Sequence, residues 1–165
     1  MILQNSQASL ISLESELESL SLYLEMEALR FNNYFTYKIS VQKDIDAEVL
    51  KVPPLIIQPY VENAIWHGLM HKEETGELNI DISSHEDHLY FRITDNGIGR
   101  KKAAALASKS ATKHKSMGLR ITAQRIAMIQ SMNAREVPVS IVDLTYPDGS
   151  AAGTEVTIKM PEIYD

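Results

Sequence analysis

The feature that most constrains this sequence is a pair of alternating segments, residues 77–83 (ELNIDIS) and 88–94 (HLYFRIT). Apolar residues at every second position are typical of strands with one buried face. The short connection between them, residues 84–87 (SHED), predicts an antiparallel hairpin. The second segment then runs into residues 95–99 (DNGIG), an acid, an amide and two glycines. Any fold for this chain must explain why a strand finishes on Asp95.

The segments before this hairpin predict a helix, a strand and a second helix. Leucines at three- and four-residue steps predict an amphipathic helix that ends near Arg30. These leucines are Leu10, Leu13, Leu17, Leu20 and Leu24. Ser15 and Glu18 are predicted to form its capping box. Residues 34–42 (YFTYKISVQ) alternate as a strand. After two prolines, a helix is predicted from Leu55 to about Leu69, ended by Gly68 or by residues 71–76 (HKEETG).

The segments after the hairpin predict a lid, a helix and a closing hairpin. Residues 100–117 hold small residues and lysines, which favours a mobile lid. A third helix is predicted from Gly118 through residues 119–132, and residues 137–146 and 153–161 form the closing hairpin around a PDG turn. Strands joined mainly by hairpins predict an α+β two-layer sandwich, whose mixed, mostly antiparallel sheet carries helices on one face.

Composition excludes several classes of protein. A formal charge of −6 without a basic stripe makes nucleic acid an unexpected partner. The chain has no cysteine, which excludes disulfides and thiolate metal sites. No apolar run approaches the roughly 18 residues of a membrane span, and the first ten residues lack the features of a signal peptide. We therefore expect a soluble chain of 165 residues with a sizeable core.

Four segments, in this order, resemble the N, G1, G2 and final Gly-Thr elements of the GHKL nucleotide-binding superfamily. They are residues 53–68 (PPLIIQPYVENAIWHG), 95–99, 116–121 (SMGLRI) and 153–158 (GTEVTI). Residues 15–31 (SELESLSLYLEMEALRF), followed by the first of these segments, are more specific and resemble LytS-type sensor histidine kinases. The resemblance implies a Bergerat-type sandwich that binds ATP and Mg²⁺.

For the adenine end of the site, the resemblance implies that Asp95 accepts a hydrogen bond from the exocyclic amine. Guanine would present a carbonyl there, so such a site discriminates strongly. Gly97 and Gly99 would leave room for the base and sugar. Thr154 would reach the adenine side through its hydroxyl or a water, or is an ordinary strand threonine. The plainer interpretation of residues 95–97 is a hairpin turn.

For the metal and phosphate end, the resemblance implies that the amide oxygen of Asn63 coordinates Mg²⁺; the alternative is a bond to nearby backbone. His67 either meets the phosphates or caps its helix. Amides at Gly118 and Leu119 would bind phosphate at a helix start, although Ser116 and Ile121 depart from the superfamily pattern. A metal centre of His67 with His71 is not expected, because Gly68 should end the helix between them.

One position narrows the expected reaction. Hydrolytic members of the superfamily carry a glutamate one helical turn before the metal asparagine, and this chain has Pro59 there. Glu62 is rotated by about 100° from Asn63 and cannot simply replace that glutamate; it is either catalytic or a solvated or capping acid. The resemblance therefore implies a phosphotransferase.

The LytS-type phosphoacceptor motif, around NPHF, does not occur in the sequence. We expect residues 1–31 to form an amphipathic helix that links to a missing phosphoacceptor region, and residues 32–165 to form the ATP-binding domain. The leucine stripe would help to dock that region, unless it packs only within this domain. Expected partners are that upstream region, a response regulator and, in the full-length protein, a second copy. The expected location is cytoplasmic, with membrane attachment only through missing N-terminal segments. Alternatives are a stand-alone serine kinase of the anti-sigma-factor type and a nucleotide-free scaffold.

Overall fold

The computed structural model describes residues 10–30, 32, 34–107 and 139–164. In chain order the elements are β1 Ile11–Ser12, α1 Leu13–Arg30, β2 Phe35–Val41, β3 Lys51–Val52, α2 Gln58–Asn63, a π-helical turn Ala64–Gly68, a 3-10 turn Leu69–His71, β4 Gly76–His85, β5 His88–Asp95, α3 Arg100–Ala107, β6 Val139–Thr145 and β7 Ala151–Pro161. Five strands form one sheet in the order β2-β4-β5-β7-β6, and β1 pairs with β3 in a small second sheet.

The sheet is mixed and mostly antiparallel, as predicted. β2 runs parallel to β4, whereas the β4–β5, β5–β7 and β6–β7 pairs are antiparallel. The predicted hairpin around residues 84–87 is confirmed, and its two turn residues, Glu86 and Asp87, have φ angles of 49° and 60°. Two consecutive positive φ angles are what a two-residue type I′ turn requires.

One face of the sheet carries the core. Its inward residues alternate along the strands, and they are Leu78, Ile80, Ile82, Leu89, Phe91, Ile93, Val156, Ile158 and Met160. The helical segments contribute the other half of the core, including Ile57, Val61, Ala64 and Ile65. An apolar face on each element, packed against the other, gives the two-layer α/β sandwich expected from the sequence.

The leucine stripe of α1 belongs to this same core. Leu13, Leu20 and Leu24 are all fully buried within the described chain, and Leu17 is half-buried against them. The buried leucines thus follow the alternative to docking, in which the stripe packs within this domain, because the surface of Leu20 is already covered. Dividing the chain at residues 31 and 32 stays a prediction.

The start of α1 differs from the predicted capping box. The cap is Ser12, whose Oγ accepts a hydrogen bond from the Ser15 amide at 3.1 Å. The first two helical amides are bonded by backbone carbonyls: Leu13 donates to Leu50 at 2.8 Å and Glu14 donates to Ala47 at 2.9 Å. Since these long-range partners satisfy the orphan donors, the helix begins before Ser15.

The second helix begins later than predicted, at Gln58 instead of Leu55. Leu55 has a φ angle of 59°, outside the helical region. The buried carboxylate of Glu16 holds this conformation, because Oε1 accepts from the Leu55 amide at 3.1 Å and Oε2 from the Ile56 amide at 3.0 Å. Gly68 does not end the helical path, which continues as the 3-10 turn to His71.

Residues 100–107, predicted as the first part of a lid, form the helix α3. Lys101 and Lys102 are exposed on it. The remainder of the predicted lid and the predicted third helix, which together include Ser116, Gly118, Leu119 and Ile121, lie outside the described residues. Among the helices that the structure describes, none combines the length and apolar character needed to cross a membrane.

Candidate functional site

Asp95 is the buried acid at the end of the central strand β5, as the sequence predicted. It is only 5% exposed and shares the inward face with Leu78, its partner in the β4 register. Burial raises the pKa of Asp95 from 3.8 to about 6, against the opposing effects of the Gly97 amide and the Lys72 charge. A carboxylate that is costly to ionise favours a ligand that donates a hydrogen bond to it.

The loop after Asp95 is not a hairpin turn. The Gly97 amide donates to Asp95 Oδ1 at 2.9 Å, and the chain then continues into α3. Asn96 pairs with the start of β4: its amide donates to the Glu77 carbonyl at 3.2 Å, and its Oδ1 accepts from the Glu77 amide at 2.7 Å. These bonds hold the loop at the sheet edge, so the plainer interpretation of residues 95–97 is wrong.

Gly97 packs on the backbone of Gly68. A Cβ added at Gly97 would lie 2.4 Å from the Gly68 carbonyl carbon, and one added at Gly68 would lie 2.9 Å from Asp95 Oδ1. The Ile98 amide donates to the Gly68 carbonyl at 3.2 Å. The N element and the DNGIG loop therefore meet through two glycines. The predicted reason for Gly97, room for a base and sugar, stays a prediction beside this packing reason.

The final Gly-Thr element also reaches Asp95. Thr154 lies directly opposite Asp95 in the β5–β7 register, so the two side chains share one face. Gly153 has a φ of 140°, and a Cβ there would lie 1.9 Å from the Asp95 carbonyl oxygen. Gly99, with a φ of 86°, is buried near Ala151. Three separated segments thus converge on one carboxylate.

Asn63 and His67 lie in the helical segment whose Gly68 packs against Asp95 and Gly97. Asn63 is the last residue of α2, and His67 lies in the π-helical turn that ends at Gly68; both are half-buried. Such turns occur frequently at functional sites. The magnesium role of Asn63 and both alternatives for His67 stay predictions. Across the described ranges, no group of three or more His, Cys, Asp or Glu side chains is arranged to hold a metal ion.

The structure also places the residues that bear on the expected reaction. Pro59 occupies the second position of α2, where a missing amide costs little. Glu62 is half-buried beside Asn63. Burial raises the pKa of Tyr23 on α1, and the charges of Glu27 and Glu62 raise it further. The catalytic role of Glu62 and its role as a solvated or capping acid both stay predictions.

Three residues near the site were missed by sequence reasoning. Lys72 lies in the polar segment after the second helix, and its Nζ donates to the Asn96 carbonyl at 2.9 Å. Gly68, predicted as a helix end, and Gly153, the glycine of the Gly-Thr element, both make close backbone approaches to Asp95 or its loop. The Gly-Thr pairing was a signal for Gly153; nothing in the local sequence indicates the reach of Lys72.

Comparison with known proteins gives the family. The family model described as histidine kinase-, DNA gyrase B-, and HSP90-like ATPase matches residues 54–163. The chain belongs to this family. The match includes every residue that converges on Asp95, and it confirms the family predicted from the four sequence elements.

Within the family, the chain is similar to sensor kinases of the LytS type. It is 34% identical over 97 residues to the sensor protein LytS of Bacillus subtilis (strain 168), which is 59% of this chain and 16% of LytS. Against LytS of Enterococcus faecalis (strain ATCC 700802 / V583) the identity is 30% over 118 residues, 70% of this chain and 20% of that protein. The chain therefore spans about a fifth or less of these relatives.

Solved structures show the same fold. The chain superimposes on full-length ShkA in complex with AMPPNP with a TM-score of 0.64, at 16% identity, covering 95% of this chain and 32% of ShkA. The mycobacterial sensor histidine kinase MprB gives a TM-score of 0.59 at 15% identity, covering 94% and 98%. These likenesses confirm the predicted histidine-kinase-type sandwich.

Proposed function

We propose that this chain is the catalytic module of a sensor histidine kinase, which binds ATP with Mg²⁺ and donates the γ-phosphate to a histidine upstream of residue 1. The observation that carries the proposal is the buried carboxylate of Asp95, on which Gly97, Gly68 and Thr154 converge. The family and the similarity to LytS support the same reaction class.

Asp95 is suited to recognise adenine because it carries a carboxylate whose Oδ2 can accept a hydrogen bond from the base. Oδ1 accepts the Gly97 amide, whereas no described residue donates to Oδ2. The exocyclic amine of adenine would supply that donor and would offset part of the cost of ionising a buried acid. Guanine would place a carbonyl against the carboxylate, so we expect a preference for adenine nucleotides. Thr154, on the same face, would contact the base edge.

The residues present also fit a magnesium nucleotide. Mg²⁺ takes hard oxygen ligands, keeps several waters and binds phosphate oxygens, so one amide oxygen from Asn63 can suffice. When bound, the metal would neutralise charge on the phosphates during transfer. Asn63 would orient the phosphate chain, and His67 and the amides of Gly118 and Leu119 are the candidates to bind it.

Phosphate transfer is favoured over hydrolysis because the position of the water-activating glutamate of hydrolytic members holds Pro59 in this chain. Pro59 has no acid–base chemistry, and Glu62 is half-buried beside Asn63 without a defined role. Transfer needs chiefly positioning and charge stabilisation, which the site residues would supply. The response regulator, a homodimeric full-length kinase and a cytoplasmic site of action with an upstream membrane anchor all follow from this assignment as proposals.

The test is transfer of radiolabelled γ-phosphate to a separately purified upstream helical region from the parent protein. The expected product is acid-labile phosphohistidine on that region, and its formation should need Mg²⁺. An Asn63→Ala variant should lose most of the transfer, whereas Asn79→Ala, on the exposed face of β4, should not. Acid-stable label on a partner serine would instead support a serine kinase of the anti-sigma-factor type.

A further inference from the structure

Helix α1 contacts the chain on both sides of Asn63. At the start, the Glu16 carboxylate accepts the Leu55 and Ile56 amides. At the other end, the guanidinium of Arg30, the last residue of α1, lies 5.1 Å from the centre of the Trp66 ring. The earlier residue of α1, Glu16, contacts the chain before Asn63, and the later residue, Arg30, contacts it after Asn63. Helix α1 therefore holds the chain on both sides of Asn63.

The Trp66 contact lies within the turn that carries the candidate phosphate-site residues. Trp66 is three residues after Asn63, one before His67 and two before Gly68. The turn is π-helical, a rare backbone form. Arg30 contacts this turn through the Trp66 side chain, and Asn63 is the residue immediately before the turn.

Arg30 is itself held by a second residue of α1. Its Nη1 lies 3.7 Å from Glu27 Oε1, one helical turn earlier. The Glu27 side chain is buried, and its Oε2 has no hydrogen-bond partner among the described residues. Removal of Arg30 alone would therefore leave a buried negative charge uncompensated, which is a cost separate from the ring contact.

We propose that Arg30 and Trp66 are a positioning pair that sets the orientation of Asn63, so that the position of α1 and the affinity for magnesium nucleotide are coupled. The inference rests on the proposed function, because it needs Asn63 to bind the metal. By thermodynamic reciprocity, a force that displaces the end of α1 would weaken Mg·ATP binding, and Mg·ATP would hold α1 in place.

The size of the contact bounds the size of the effect. A cation over an aromatic ring at a partly exposed site contributes an amount equal to about a two- to fivefold change in an equilibrium constant. Adenine recognition at Asp95 does not involve Arg30. Loss of the pair should therefore weaken binding of Mg·ATP and leave binding of ATP without Mg²⁺ unchanged.

The test compares ATP dissociation constants with Mg²⁺ and with excess chelator, measured by calorimetry on the whole chain. The main variant is Glu27→Gln/Arg30→Met, which removes the cation without leaving the buried charge. Arg30→Lys keeps a cation for the ring and should rescue binding. The matched control is Arg92→Met/Glu155→Gln, which removes another ion pair, 2.9 Å long, from neighbouring strands of the sheet.

The expected result is a two- to fivefold weaker Mg·ATP affinity in the main variant, no change without Mg²⁺, and near-parental values for Arg30→Lys and the control. Equal weakening with and without Mg²⁺, or no weakening, would overturn the inference. If the main variant does not fold, Trp66→Leu is measured against the same two criteria. A parent chain that binds no ATP at all would refute the proposed function first, and the inference with it.

A second readout follows from the composition. Trp66 is the only tryptophan in the chain. Its emission should shift when Mg·ATP binds to the parent and should shift less in Glu27→Gln/Arg30→Met at saturating nucleotide. An unchanged shift in that folded variant would show that the ring is not held by Arg30, and would overturn the inference independently of the affinities.

Discussion

Gly97 lies so close to Gly68 that no side chain fits between them. A Cβ at position 97 would come within 2.7 Å of three backbone atoms of Gly68. We predict that Gly97→Ala pushes the loop away from the π-helical turn and destabilises the fold by about 1–3 kcal/mol, the usual cost of overpacking. Urea denaturation measures the loss, and calorimetry should show weaker ATP binding.

Gly149→Ala is the control for this substitution. Gly149 lies in the turn between β6 and β7 with a φ of 88° and open space around its Cβ position. Its replacement should cost only the backbone strain, about 1 kcal/mol, and should leave ATP affinity unchanged. Comparable ATP binding by Gly97→Ala and Gly149→Ala would mean that the Gly68 contact does not shape the site.

The raised pKa of Asp95 predicts a pH dependence of stability. The folded chain holds this proton up to about pH 6, whereas the unfolded chain releases it near 3.8. The folded state therefore binds more protons in this window, and the free energy of unfolding should fall as pH rises from about 4 to 6, by about 3 kcal/mol, and then level off.

Asp95→Asn is the reference for that measurement, because exposed carboxylates titrate in the same range. Asp95→Asn lacks this titrating group, so its free energy of unfolding minus that of the parent should rise from pH 4 to pH 6. Nucleotide should act in the opposite direction: the adenine amine favours the ionised form, so the ATP affinity of the parent should decline below pH 6 relative to that of the variant. A pH-independent difference would contradict the assigned burial cost.

Glu16 is predicted to be a structural acid. Glu16→Gln keeps one acceptor oxygen but turns an amide donor toward a backbone amide, and we expect a loss of about 1–3 kcal/mol from the unmet hydrogen bond. Glu18→Gln, exposed on the same helix, should change stability by less than about 0.5 kcal/mol. Equal urea midpoints for the two variants would show that the Leu55 conformation does not depend on Glu16.

The strands and the site acid could be predicted because their signals are local. Period-two alternation places Leu89, Phe91 and Ile93 inside, and the strand that carries them ends on Asp95. The four sequence elements give the family. These features depend on neighbouring residues along the chain, which a single sequence displays directly.

The errors concern contacts between residues distant in sequence. The first two amides of α1 donate to the carbonyls of Leu50 and Ala47. The late start of α2 depends on Glu16, 39 residues before Leu55. No local pattern shows which carbonyl or carboxylate will satisfy a distant amide. The leucine stripe is an apolar face, as predicted, but periodicity does not show whether the surface that packs against it belongs to the same chain or to another.

The isolated chain is predicted to be nearly inactive. With Mg·ATP alone it should neither label itself on histidine nor turn over ATP appreciably, because the NPHF-type acceptor motif is absent from the sequence and Pro59 stands where a hydrolytic base is expected. Phosphate release over hours, compared with a heat-denatured sample, measures this. Robust turnover of ATP would contradict the kinase assignment and would favour an ATPase of the hydrolytic branch of the superfamily.

The most direct test of the account is a calorimetric comparison of ATP and GTP binding by the parent chain and Asp95→Asn, with Asp81→Asn as an exposed-carboxylate control. We predict that the parent prefers ATP, that Asp95→Asn weakens ATP binding about tenfold to hundredfold by removing a charged, desolvated acceptor, and that Asp81→Asn matches the parent. Parental ATP affinity in a folded Asp95→Asn protein would contradict the assignment of Asp95 as the adenine-reading residue.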